Sequence, residues 1–258
     1  MLHDGIIGDV LVVQAWNIQR RRSVGHQPPS QRPGELDYDL WTGLAPMIPY
    51  QQNRFIDSWH WWDHYVTGDM GNGGIHDLEY ARWGLGVEGH PHHIAATGGK
   101  YFFDDDQEFP DTQHVSVEYG EQKKTLIYEQ RLGSTNYPHN TDSGAEFYGT
   151  KGQMYLSRRG KIRVLGERNK PLEMKMETQP QDTDRHVADC FDAIRNNRRP
   201  NADIELGHMT ASLCHLGNVA TRLRRSLQFD GQKEQITNDD EAAALIQRDY
   251  RQHWGAPT

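Results

Sequence analysis

The alternation of apolar and polar residues across 94–165 constrains the fold more than any other feature of this chain. Val115, Val117 and Tyr119 alternate with His114, Ser116 and Glu118, the two-residue period of a strand with one buried and one wet face. Segments 94–103, 125–131, 146–148, 153–156 and 162–165 read as further strands. Thr150-Lys151-Gly152 and Arg158-Arg159-Gly160 carry turn residues suited to hairpins. A β-branched run at 9–18 adds an earlier strand, followed by a proline-rich loop at 25–34. One half-exposed, largely antiparallel sheet is expected.

Beyond 165 the period changes. Segment 184–197 puts Val187, Cys190, Phe191 and Ile194 on one helical stripe. Leu206, Met209, Leu213, Leu216, Ala220, Leu223 and Leu227 then recur in steps of three and four, a core stripe without the charged flanks of a coiled coil. A last helix, 239–250, starts at an Asn238/Asp239 cap. The expectation is an α+β fold, with residues 1–258 as one domain built on an open, largely antiparallel sheet with helices on one face.

A formal charge of -8 without a long basic run argues against nucleic acid or an anionic membrane as partner. No stretch approaches the ~18 apolar residues of a membrane span. Asp4 and Asp9 precede the short apolar run Val10 to Val13 and the arginines follow it, the reverse of a signal peptide, so a cytoplasmic location is expected. Cys190 and Cys214, both on apolar stripes, are expected to be buried free thiols.

The stretch from Trp59 to Trp83 carries the chemistry. Trp59, Trp61 and Trp62 offer flat apolar faces that suit a sugar ring as well as a core. Gly68, Gly71, Gly73 and Gly74 allow positive φ and close backbone approach to a ligand, and Ile75–Leu85 reads as a helix. That places His76 in the first helical turn, where the dipole favours the neutral imidazole needed to accept a hydroxyl proton. Helical spacing puts Glu79 and Tyr80 on its face.

Other motifs are weaker. Gly84-Leu85-Gly86-Val87-Glu88-Gly89 spells G-x-G-x-x-G, but a helix precedes it and His90-Pro91-His92-His93 follows, so it reads as a helix C-cap. His60, Asp63 and His64 stand at i, i+3 and i+4, yet nothing in the sequence brings His90, His92 and His93 to them, so no metal is expected. Asp104, Asp105 and Asp106 read as a solvated turn. No G-x-S-x-G is present, and covalent catalysis is not indicated.

Taken together, these segments resemble the glucose-fructose oxidoreductase, inositol dehydrogenase and MocA family, specifically the carboxy-terminal domain of its bacterial sugar-oxidoreductase branch. The likeness runs through Gly8-Asp9-Val10, Tyr38-Asp39-Leu40-Trp41-Thr42-Gly43-Leu44-Ala45-Pro46, the turn from Gly68 to His76, Ala81-Arg82-Trp83-Gly84-Leu85-Gly86, and Gly98-Gly99 through Asp104-Asp105-Asp106. It continues in Asn201-Ala202-Asp203-Ile204-Glu205, His215-Leu216-Gly217-Asn218, and Arg248-Asp249-Tyr250-Arg251 through Trp254.

The resemblance implies a catalytic histidine at His76, which takes the carbinol proton while hydride passes to a nicotinamide. In that family a Rossmann domain with an E-K-P lysine precedes this domain, and neither is found in this sequence. Met1 falls where such a chain would already be inside its second domain, so this chain is expected to bind no cofactor alone, with NAD or NADP held only by the absent amino-terminal domain. Departures from the branch are Gly74 within the turn, Glu79 where aspartate is usual, and Arg224 where glycine is usual. Arg224 is expected to change only a helix surface.

The leading expectation is thus a sugar- or polyol-recognising domain with His76 and Glu79 as catalytic groups. His60, Trp61, Trp62, Asp63 and Asn72 would contact a sugar-like small molecule, and the open sheet face would form a homo-oligomer. One alternative is a cofactor-independent hydrolase or lyase acting on a glycoside, lactone or keto-sugar through His76 acid/base chemistry. Another is a noncatalytic binding or assembly module.

Overall fold

The chain enters the sheet through β1 (Val10–Asn17), whose β-branched residues favour extended backbone and whose far end leads into an irregular arm. The structure, a computed structural model, describes residues 1–172 and 182–252, so Trp254 of the resemblance lies outside the described residues. β1 pairs in parallel with β4 (Lys124–Arg131) and antiparallel with β5 (Ser143–Gly149), setting Val13 beside Leu126 and Phe147. A parallel pair needs a long crossover. This one contains the arm with its short α1 (Tyr38–Thr42), α2 (Ile75–Leu85), and the strands β2 (His93–Gly99) and β3 (Thr112–Tyr119).

The rest of the sheet is antiparallel, through β6 (Gly152–Leu156) and β7 (Ile162–Gly166) on one flank. After α3 (Thr183–Asn196) and α4 (Ile204–Leu223) the chain adds β8 (Leu227–Asp230) and β9 (Gln235–Ile236) on the other flank, then α5 (Asp240–Leu245). The strand order is β7-β6-β5-β1-β4-β3-β2-β8-β9.

Strand alternation explains where the core sits. Val13, Ala15, Val115, Val117, Leu126 and Phe147 point to one face, where they meet Leu78, Ala81 and Leu85 of α2 and Leu213, Leu216 and Ala220 of α4. Registered pairs such as His114 with Glu129 and Glu118 with Thr125 line the other face, which no described helix covers. The open, largely antiparallel sheet with helices on one face is the architecture expected from the sequence.

Several details differ from the sequence reading. α3 forms, but its stripe is outward: Phe191 is 54% and Ile194 71% exposed, and Cys190 is exposed while Cys214 is buried. Periodicity reports an apolar face and not what covers it. β2 ends at Gly99 rather than 103, because the buried Asp111 carboxylate takes the N–H groups of Tyr101, Phe102 and Phe103 and turns the chain. The β8–β9 hairpin escaped because Leu227 was read as the end of the α4 stripe. Arg224, treated as a helix-surface change, instead holds the left-handed C-cap of α4 at φ 55° and ψ 41°.

The three aspartates clasp the arm. Asp105 accepts from the Ser23 hydroxyl and the Val24 N–H at 3.0 and 2.9 Å, and Asp106 from the Gln27 N–H and Asn53 amide, both at 2.8 Å. Burial opposes ionisation of Asp106, but these bonds and His26 hold its carboxyl down at about 2. Only Asp104 is the solvated residue expected at all three positions. The arm is thereby held against the sheet end that carries the candidate site.

Candidate active site around His76

The helix that presents His76 begins earlier than its apolar pattern suggests. Gly68, at φ 63°, makes the left-handed entry. Backbone from Asp69 onward is helical, with a π-helical turn at Met70–Gly74 that runs directly into α2. His76 therefore lies beyond the first helical turn, and the dipole argument for its neutrality falls away. Single π-turns recur at functional sites because they re-aim the residues that follow.

The remaining glycines serve packing. A Cβ on Gly74 would stand 2.1 Å from the Tyr128 hydroxyl, and one on Gly73 2.1 Å from Asn17 Nδ2. Both residues are buried, so the turn presses its backbone onto the sheet rather than onto a ligand, which corrects the sequence reading.

His76 itself is exposed. Partial desolvation of its ring, then the nearby Arg158 guanidinium from the β6–β7 turn, hold its pKa below the usual value. Behind it, Asp77 is fully buried and accepts from the Tyr80 hydroxyl, with Arg158 Nε 3.5 Å from the same carboxylate oxygen. The other oxygen, Oδ2, is buried without a hydrogen-bond partner. Desolvation pushes Asp77 up to about 7, against the pull of Tyr80 and Arg158. An exposed imidazole held below its ordinary value thus adjoins a carboxyl that burial pushes up.

Next to this pair, buried Asp69 accepts from Arg21 Nη2 at 2.7 Å and from the Asn72 amide at 3.3 Å. Asp69 Oδ2 and both amide atoms of Asn17 are buried without partners. His60 belongs to the same field: desolvation lowers its pKa while Asp69 raises it and Arg21 lowers it again. This end of the sheet thus combines buried polar atoms without partners with one exposed imidazole, that of His76.

The sequence-derived residues divide accordingly. Asn72 bonds Asp69 and His60 feels the Asp69 and Arg21 charges, while His76 lies near Arg158. Glu79 does not orient His76; it bonds Arg82 Nη2 at 3.1 Å and the Thr210 hydroxyl, tying α2 to α4. Asp63 faces away, paired with Arg222 at 2.7 Å beside a cleft lined by Arg248 and Tyr250. Trp61 and Trp62 are 4% and 1% exposed and pack with Leu132, so these two of the three expected platform rings form a small core, while Trp59 is exposed. Asp77, Asp69, Arg21 and Arg158 were missed as site residues, since a carboxyl followed by an apolar residue gives no sign of burial.

Comparison with known proteins fits this geometry. The pattern of the family described as oxidoreductase family, C-terminal alpha/beta domain, matches residues 15–256. No curated protein matches the chain. Among solved structures, an aldose-aldose oxidoreductase from Caulobacter crescentus complexed with glycerol is 14% identical, with a TM-score of 0.60 over 88% of this chain and 58% of its own. An NAD binding oxidoreductase from Klebsiella pneumoniae is 13% identical, with a TM-score of 0.60 over 88% of this chain and 60% of its own. The WlbA dehydrogenase from Bordetella pertussis, in complex with NADH and UDP-GlcNAcA, is 12% identical, with a TM-score of 0.56 over 89% of this chain and 57% of its own. At these identities the likeness is one of fold, and the chain spans about three fifths of their length. This chain belongs to the oxidoreductase family as a member of its C-terminal alpha/beta domain, the glucose-fructose oxidoreductase, inositol dehydrogenase and MocA type.

Proposed function

We propose that this domain is the substrate-recognising part of a nicotinamide-dependent sugar or polyol oxidoreductase, with His76 as the group that takes the hydroxyl proton. The observation that carries the reading is an exposed imidazole of lowered pKa near Arg158, on the helix that continues a π-turn at whose start Arg21 and Asn72 bond Asp69. His76 Nδ1 or Nε2 receives the proton of a substrate hydroxyl, while Asn72 and His60 position neighbouring hydroxyls. Arg158 disfavours the imidazolium, so the proton passes on readily to solvent.

The Gly84 to Gly89 motif does not fit a pyrophosphate cradle. The G-x-G-x-x-G sequence closes α2, with Gly86 as its left-handed C-cap bonding back to Arg82 and Trp83, whereas a pyrophosphate cradle opens a helix. These residues account for the proton, and in this reading the hydride passes to a nicotinamide held by a nucleotide-binding domain. The open sheet face, with Tyr148 36% exposed, docks a second copy in the same proposal.

The test is polyol or sugar oxidation by the chain joined to a nicotinamide-binding domain, wild type against His76→Ala. Turnover is expected to fall by about 10²–10⁴ while nucleotide affinity holds. Unchanged turnover removes His76 from the role. Turnover of a glycoside or lactone without nucleotide would instead favour the hydrolase or lyase reading.

A further inference from the structure

At the β9 flank of the sheet, three side chains from separate segments converge. His90 comes from the stretch between α2 and β2, His208 from the early turns of α4, and Glu234 from the turn between β8 and β9. Glu234 Oε1 lies 3.1 Å from His90 Nε2 and 2.8 Å from His208 Nε2. One ligand atom from each residue lies within 4.8 Å of the other two.

The position is built rather than incidental. The His90 side chain is only 8% exposed, with Phe229 and His208 edge-on at 5.5 and 5.7 Å between ring centroids. The hairpin turn lies against it so closely that a Cβ on Gly231 would stand 2.9 Å from His90 Cβ. Asp230 Oδ1 accepts from the Gln232 and Lys233 N–H groups and so shapes the turn, and Glu234 takes a left-handed backbone at φ 51°.

We propose that His90, His208 and Glu234 form a binding site for a divalent transition cation of the zinc type, with water completing a tetrahedron. Two imidazole nitrogens and one carboxylate oxygen suit such an ion, whereas magnesium and calcium favour oxygen donors throughout. Zinc holds these atoms at about 2.0–2.2 Å, which puts tetrahedral neighbours roughly 3.3 Å apart. The His90–Glu234 separation of 3.1 Å already approaches that, and the 2.8 Å to His208 needs a small opening that its half-exposed side chain permits. The ion would fasten the two outermost strands to α4 and to the end of the α2–β2 connection, securing a short edge hairpin. The site is separate from His76, and its test is independent of the oxidoreductase reading.

The experiment titrates the chelator-treated full chain with zinc by calorimetry and with cobalt by visible absorption. One saturable equivalent per chain is expected, with the cobalt bands of a tetrahedral site and a thermal midpoint raised by zinc. Glu234→Gln and His208→Asn, both at side chains about half exposed, should each weaken binding by more than the roughly 10–100-fold that losing an outer-shell partner costs. The His92→Asn, His93→Asn double variant removes another histidine pair beside a carboxylate, Glu118 at 3.9 and 3.8 Å, and should leave binding intact. Absence of a saturable equivalent, equal affinity in Glu234→Gln, or loss in the His92, His93 variant would each overturn the site.

Discussion

Arg158 Nε stands 3.5 Å from the buried Asp77 carboxylate, and the same guanidinium lowers the pKa of exposed His76. One cation in the β6–β7 turn thus restrains two adjacent titratable groups, favouring the neutral base and the ionised acid together. Replacing it with Arg158→Gln should raise both values. Histidine-selective NMR titration checks His76; a midpoint no higher than wild type would remove Arg158 from the site's electrostatics.

Asp77 gives stability an unusual pH dependence. Its folded value, about 7, lies above the 3.8 of an exposed aspartate, so its contribution is fully present below about 3.8 and is lost as pH rises through 7. The span corresponds to at most about 4 kcal/mol. Asp77→Asn should flatten the fall in stability between pH 4 and 7, as read by urea unfolding across that range. An identical slope in the variant would mean that Asp77 ionises freely in the folded state.

Gly74 tests the packing account of the glycine turn. Its missing Cβ would stand 2.1 Å from the Tyr128 hydroxyl and 2.7 Å from Tyr128 Cζ. Gly74→Ala should therefore cost about 1–3 kcal/mol by overpacking. Adding Tyr128→Phe should recover part of it. Denaturant midpoints of the three variants decide, and a neutral Gly74→Ala would show that the turn has room.

Arg224 occupies left-handed backbone at φ 55°, where a Cβ is disfavoured and glycine is not. Arg224→Gly should stabilise the protein by up to about 1 kcal/mol, the gain at the cap being offset by the freer unfolded chain. A loss of stability would mean that the arginine side chain contributes more than its backbone costs.

Much of the fold was legible because its signals are periodic. Val115 to Tyr119 alternates so regularly that strand and buried face follow together, and the end of α2 at Leu85 was placed by the glycine that follows it. What escaped depends on distance in sequence. Trp61 looked like a platform because its burial against Leu132 involves residues far along the chain. Glu79 shares a helical face with His76, yet Thr210 and Arg82 hold it. Asp77 acquires its value from burial and from Arg158, neither of which its neighbours in sequence record. His90, His208 and Glu234 likewise meet only once the sheet edge is assembled.

The central claim is that His76 is a neutral base facing a sugar or polyol, and the most direct measurement is NMR titration of its ring in the intact chain with and without a panel of sugars and polyols. The account predicts a midpoint below 6.5 and a saturable shift of the His76 signal with at least one compound, absent when His76→Gln identifies the resonance. A midpoint at or above 6.5, together with a signal unmoved by every compound, would contradict it.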